Sequence, residues 1–211
     1  MGYLASDKGG SMDWEPVPVG THIARAVTVV DLGLQPTGYG TKEKIYVGFE
    51  VYGDECRVKW EKDGKEHNGP ALIGSRYTLS IHPKSILGQH LVSWRGKEFT
   101  DEERQGFDVF TILGAPCMIS VVHNANKEKN KTYANIAAIM KCPKGTEIPK
   151  LEGELVGYSA CHPDYSGTID KLPEWLRNLA LEGQRQSTVV EPSPPMPPTG
   201  PVDDFDDDIP F

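Results

Sequence analysis

From residue 21 to residue 140 the chain alternates between β-patterned segments and turns rich in Gly and Pro, and this rhythm most constrains its fold. The clearest segment is 44–52, where apolar side chains occupy every second position, namely Ile45, Val47, Phe49 and Val51. The intervening positions carry Tyr46, Gly48, Glu50 and Tyr52. Strict alternation of this kind predicts a β-strand with one buried face.

Four further segments have a strand pattern, at residues 21–32, 76–81, 117–123 and 131–140. Between the third and fourth predicted strands, apolar residues of 83–114 recur at helical spacing. Thr100 and Glu103 form a capping box there, and Gly114 can end the second helical stretch. Five strands in this order predict a mainly β protein with a five-stranded OB-fold barrel and a helical insertion between strands three and four. Other small barrels would give a similar count.

The chain changes character after Met140. Residues 172–182 predict an amphipathic helix that docks on the core through Leu172, Trp175, Leu176 and Leu179, with Gly183 as its stop. Residues 184–202 contain six prolines and no apolar periodicity, which predicts a disordered linker. The expected organisation is a leader at 1–20, a folded domain at 21–183, the linker, and a separate terminal segment at 203–211.

Charge is unevenly distributed along the chain. The net charge of −8 argues, taken alone, against a nucleic-acid partner. Residues 21–150 nevertheless carry 18 basic against 15 acidic side chains, whereas residues 203–211 carry five aspartates and no base. The average therefore conceals a mildly basic domain joined to an acidic end.

No apolar run approaches the roughly 18–20 residues needed to span a bilayer, and no secretory signal is visible, so we expect a cytoplasmic protein without a membrane partner. The four cysteines are Cys56, Cys117, Cys142 and Cys161, and they form no CxxC motif. We expect reduced thiols and neither a metal nor another cofactor. Cys142 and Cys161 with His162 are weak metal candidates, because a tetrahedral site needs about four convergent ligands.

The acidic end carries apolar residues that a solubilising tail would not need. Its sequence is Asp203, Asp204, Phe205, Asp206, Asp207, Asp208, Ile209, Pro210 and Phe211. Phe211 and Ile209 offer apolar anchors, and Pro210 limits the conformational entropy lost on docking. The aspartates would meet a basic rim on a partner protein.

This segment resembles the C-terminal tip of bacterial single-stranded DNA-binding proteins (SSBs), in which DDDIPF follows an OB-fold and a disordered linker. The resemblance implies single-stranded DNA binding and recruitment of replication, recombination and repair enzymes, with Pro210 and Phe211 as the critical residues. The helical insertion and the stretch KTYANIAAI look more like a phage-encoded SSB. Whether the chain forms a homo-oligomer, as bacterial SSBs do, stays open.

A sequence-independent binder of single strands needs cations for phosphates and aromatic rings on which bases stack. Candidates come from predicted strands two and three, from the residues between them (a mobile ribbon or loop), and from the two loops that an OB-fold uses for binding. They are Tyr39, Lys42, Lys44, Tyr46, Tyr52, Arg57, Lys59, Trp60, Lys62, Arg76, Lys127, Lys129 and Lys131. Alternatively, Tyr46 and Tyr52 pack under the C-terminal helix. Trp94 and Tyr77 are expected in the core.

Two other functions compete with DNA binding. The chain has no compact catalytic motif, so we expect no enzyme, although scattered carboxylates leave a nuclease as one alternative. The other is an interaction protein that mimics the SSB tip to capture host repair enzymes without binding DNA. If the domain does bind DNA, the acidic tip is expected to compete for the same basic surface.

Overall fold

The computed structural model describes residues 16–38, 40–62, 65–126 and 131–189. Within them the protein is mainly β, as predicted, and six antiparallel strands curl into an open half-barrel. The strands are β1 (Gly20–Thr37), β2 (Gly40–Tyr52), β3 (Arg57–Lys62), β4 (Lys65–Thr78), β5 (Pro116–Asn126), β6 (Lys131–Met140) and the short β7 (Val156–Tyr158). The helices are α1 (Ile86–Arg95), α2 (Asp101–Gln105) and α3 (Glu174–Val189).

The sheet order is β3-β4-β2-β1-β5-β6. Strand β1 is its longest member and pairs with β2 on one side and with β5 on the other, while β7 adds to β1 in parallel. All five predicted strands exist, as β1, β2, β4, β5 and β6. The sequence patterns missed β3 and β7, and they placed the third strand too late, because β4 ends at Thr78. Leu79 still donates one backbone hydrogen bond to Glu43 before the chain leaves the sheet.

The core of the half-barrel lies between the sheet and the helical insertion. Phe49 of β2 contacts Trp94 of α1 at 5.8 Å between ring centroids, and the Trp94 indole donates to the Pro116 carbonyl at 2.8 Å. Trp94 and Tyr77 are both buried, as predicted. The insertion itself begins with Ser85 capping α1 and continues with the predicted capping box at the start of α2. These caps satisfy backbone N–H groups that a helix end would otherwise leave unpaired.

The outer face of the sheet is covered as well. Helix α3 packs across β1 through Leu176 and Ala180, which form a second buried cluster with Val30 and Leu32 of β1 and with Leu172, two residues before the helix. The alternation in β2 therefore conceals two buried faces. Glu50 shows this best: it is 1% exposed, and its carboxylate accepts from the backbone N–H groups of Glu152 and Gly153 at 3.0 Å each. Two such hydrogen bonds offset the cost of burying the carboxylate.

The predicted helix stop at Gly183 is wrong, because α3 continues to Val189. Gly183 is a contact residue: a Cβ atom there would lie 1.8 Å from the Leu32 carbonyl oxygen. Gly33 faces it from β1, where φ is +61° and a Cβ atom would lie 2.8 Å from the Gly183 backbone. The two glycines let α3 approach the strand backbone closely. At the other end, Val17 is buried, so the folded domain begins before the predicted boundary at residue 20.

Candidate nucleic-acid interface

A groove of about 660 Å³ opens where the start of β2 and the end of β4 meet the start of α1. Four of its lining residues are cations, Lys42, Lys44, Arg76 and Lys84, and among its described lining residues there is no aspartate or glutamate. Lys42, Lys84 and Arg76 are exposed, and Lys44 is partly so. Such a concentration of one charge sign attracts anions and can follow a phosphate backbone.

The strand geometry explains why three of these cations converge. Lys42, Lys44 and Tyr46 lie two residues apart on β2 and so project from the same face. In the antiparallel pairing, Lys44 is opposite Thr78 and Tyr46 is opposite Arg76. Opposed residues of neighbouring strands share a face, so Arg76 joins the two lysines there. These are three of the cations that the sequence predicts for DNA contact.

The fourth cation, Lys84, was not predicted as a site residue. It lies in the turn between β4 and α1, where the Ser85 hydroxyl donates to the carbonyl oxygens of Ser80 and His82. This turn carries the sequence His82-Pro83-Lys84-Ser85, and a basic residue beside a helix cap was the one signal that could have indicated it. The turn ends at Ser85, the N-cap of α1, and places Lys84 on the same groove as the three strand cations.

Two ionisable groups at the bottom of the groove are neutral at pH 7. The Tyr77 hydroxyl and His90 Nδ1 are 3.2 Å apart, and their rings meet edge to face. Burial raises the pKa of Tyr77 to about 12, and burial lowers the pKa of His90 below its ordinary value. Neither side chain therefore adds a positive charge to the groove at neutral pH.

An exposed aromatic ring lies beside this basic face. Trp175 of α3 meets Tyr46 edge to face, with ring centroids 5.4 Å apart and an interplanar angle of 82°. The prediction that Trp175 lies in the core is wrong, because 55% of its surface is exposed. Tyr46 is half-buried beneath it, as the alternative interpretation anticipated, and its hydroxyl occupies the space above Gly74. The exposed aromatic ring here therefore belongs to Trp175 rather than to Tyr46.

Three other predicted contact residues, Tyr52, Arg57 and Lys59, do not line the groove. Tyr52 is 8% exposed and offers no open ring face. Arg57 donates to both carboxylate oxygens of Glu152, at 2.8 and 3.0 Å, and this interaction holds the pKa of Glu152 below its ordinary value. A guanidinium held by two such hydrogen bonds is a poor phosphate ligand. Lys59 is exposed on the ribbon formed by β3 and β4, where the sequence predicts a ribbon or a loop.

Some of the predicted site residues lie outside the part of the chain that the structure describes, or have side chains that lie outside it. Tyr39, Lys127 and Lys129 and the whole of residues 203–211 lie outside the described residues. Trp60, Lys62 and Lys131 belong to strands whose backbone is described, but their side chains are not.

The weak metal candidates do not form a three-ligand group within the described chain. His162 instead packs against both Phe110 and Tyr165, with ring centroids 5.1 and 4.7 Å away, and lies 3.9 Å from an Asp108 oxygen. These contacts fasten the loop after β7 to the helical insertion. Cys142 is half-buried and Cys161 is exposed.

No protein-family model matches the chain, and no curated protein matches it. Among the described residues, no helix is both long and apolar enough to cross a membrane. The features that bear on function are the groove, Trp175 and the sequence of the acidic end.

Proposed function

We propose that this chain is a single-stranded DNA-binding protein that holds DNA without sequence preference along the basic groove and against Trp175. The observation that carries the proposal is the convergence of Lys42, Lys44, Arg76 and Lys84 on one groove with no acidic lining residue among those described. Phosphates need cations spaced along a path, and bases need an exposed ring beside that path. A groove with both can bind any sequence.

We also propose that the half-barrel is a variant of the OB-fold. The five strands expected of that fold correspond to β1, β2, β4, β5 and β6, and the helical insertion follows the third of them. The ribbon of β3 and β4 and the hairpin of β5 and β6 then correspond to extended versions of its connecting loops. The resemblance to phage-encoded SSBs supports the same assignment.

The acidic segment 203–211 supplies the second half of the proposed function. Its resemblance to the SSB tip supports recruitment of replication, recombination and repair enzymes through Pro210 and Phe211. Because the tip carries five aspartates, it would also compete weakly with DNA for the groove. Deleting residues 203–211 should tighten DNA binding at low salt and abolish co-purification of such enzymes.

DNA binding is tested by titrating the full chain with oligo-dT at low salt and monitoring tryptophan fluorescence. Stacking on Trp175 should quench the fluorescence, and the affinity should weaken as salt rises because counterion release contributes to binding. Flat fluorescence together with no mobility shift of labelled oligo-dT would favour a protein that carries the tip without binding DNA. Metal-dependent cleavage of the oligonucleotide would instead favour a nuclease.

A further inference from the structure

Three potential metal ligands meet near the end of β2, whereas the groove lies at the start of that strand. His22 belongs to β1, whereas Glu55 and Cys56 form part of the 3-10 turn Asp54–Cys56 between β2 and β3. Their ligand atoms all lie within 4.8 Å of one another. His22 Nδ1 is 3.5 Å from Cys56 Sγ and 3.5 Å from Glu55 Oε1. One nitrogen, one sulfur and one oxygen donor therefore face a common point.

These separations match the edges of a tetrahedral zinc site. With Zn–S, Zn–N and Zn–O bonds of about 2.3, 2.05 and 2.0 Å, tetrahedral angles place S and N about 3.5 Å apart and N and O about 3.3 Å apart. The observed distances of 3.5 and 3.5 Å are close to both values.

The hydrogen bond made by His22 Nε2 favours metal binding at Nδ1 of the same ring. His22 Nε2 lies 2.9 Å from the Pro18 carbonyl oxygen, which can only accept a hydrogen bond. In the neutral ring the proton is therefore on Nε2, and the Nδ1 lone pair points at the other two donors. Proteins usually orient a metal-binding histidine in this way, through a hydrogen bond from its other ring nitrogen.

Burial and backbone conformation support the same arrangement. His22 is 7% exposed and Cys56 is 1% exposed, so both are held firmly, while 59% of the Glu55 side chain is exposed. Gly53 has a φ of +140°, and a Cβ atom at this position would lie 3.0 Å from Glu55 Oε1. The glycine therefore leaves room for the carboxylate beside His22.

We propose that His22, Glu55 and Cys56 bind one Zn²⁺ ion, with a solvent molecule as the fourth ligand on the open side near Glu55. On binding, the Cys56 thiol releases its proton to solvent and its sulfur ligates as a thiolate. The ion would tie the start of β1 to the turn that enters the ribbon of β3 and β4. This site is independent of DNA binding, because none of its residues lines the groove.

The experiment uses the full chain, reduced and freed of metal with a chelator, then dialysed against zinc and analysed for bound metal. One equivalent per chain is expected. Replacement by Co²⁺ should produce a thiolate-to-cobalt charge-transfer band, which Cys56→Ser abolishes and Cys161→Ser retains. Less than stoichiometric zinc in the unaltered chain, or a cobalt band that survives in Cys56→Ser, would overturn the proposal.

Because Cys56 is buried, its variant could unfold, so the decisive variant is the exposed Glu55→Ala. Loss of a group that only orients a metal ligand weakens affinity by about 10- to 100-fold, and loss of a ligand oxygen should cost at least as much. The matched control is Asp54→Ala, which removes the neighbouring exposed carboxylate of the same turn. Equal zinc affinity in the two variants would show that Glu55 is not a ligand and would refute the three-residue site.

Discussion

Replacing Lys42, Lys44 and Arg76 together with alanine should flatten the salt dependence of DNA binding. All three line the groove and project from one face of β2 and β4. For single strands, the slope of log Kobs against log salt falls by about 0.7 for each phosphate that a protein cation neutralises. If each side chain contacts one phosphate, the triple variant should lose about 2 units of slope.

This change is large enough to measure. Raising the salt concentration fourfold changes its logarithm by about 0.6, so the lost slope corresponds to about 1.3 log units of affinity, or roughly 20-fold, over that interval. The assay is oligo-dT titration at several sodium chloride concentrations, read by tryptophan fluorescence. Circular dichroism would verify that the variant keeps its β structure.

A matched control removes the same charge elsewhere. Lys141, Lys144 and Lys150 are exposed and do not line the groove, so their triple alanine variant should retain most of the slope. If both variants lose slope equally, the overall field of the domain binds DNA and the groove is not the site. If neither variant changes it, the phosphate contacts are made by residues other than these six.

Three further predictions concern single residues. Trp175→Ala should weaken oligo-dT binding by about 1–3 kcal/mol, the usual contribution of one stacked base, and unchanged titration curves would remove Trp175 from the interface. Gly183→Ala should lower the free energy of unfolding by about 1–3 kcal/mol in urea denaturation, because its Cβ would overpack β1. Gly167→Ala, where nothing lies within 4 Å, is the control; a stabilised Gly183→Ala would mean that the roughly 1 kcal/mol helix preference for alanine prevails. In the metal-free protein, iodoacetamide at pH 8 should modify the exposed Cys161 well before Cys56, because burial raises the pKa of the Cys56 thiol to about 11 and leaves less thiolate. Equal rates in the folded metal-free protein, measured by peptide mass spectrometry, would contradict the burial.

Local sequence patterns predict the positions of strands and helices well, but they predict poorly which residues are exposed. Alternation at 44–52 identified β2, and the pair Thr100 and Glu103 identified the start of α2 to the residue. Alternation also predicted an outer face open to DNA, and Tyr52 is instead buried there. The pattern reports only which residues are apolar, and it cannot tell whether a second layer covers the polar side of a strand.

The sequence-based predictions for Gly183 and Trp175 are wrong for a related reason. Gly183 has the residue type of a helix stop, and its role as a close contact depends on Leu32, more than 150 positions earlier in the chain. Trp175 has the helical spacing of a core residue. The contact between α3 and the sheet nevertheless leaves its ring beside Tyr46 and mostly exposed. Helical spacing defines a stripe, and only the docked geometry determines where that stripe ends.

The amino-acid sequence alone determined that this is a mainly β protein with a helical insertion, a basic central region and an acidic, apolar-tipped end, because periodicity and charge are properties of neighbouring residues. Tertiary structure decided which cations form the groove, that Trp175 lies open beside them, and that His22 meets Cys56 across 34 positions of the chain. Those features depend on strand register and on helix docking, which bring together residues whose spacing in the sequence carries no signal.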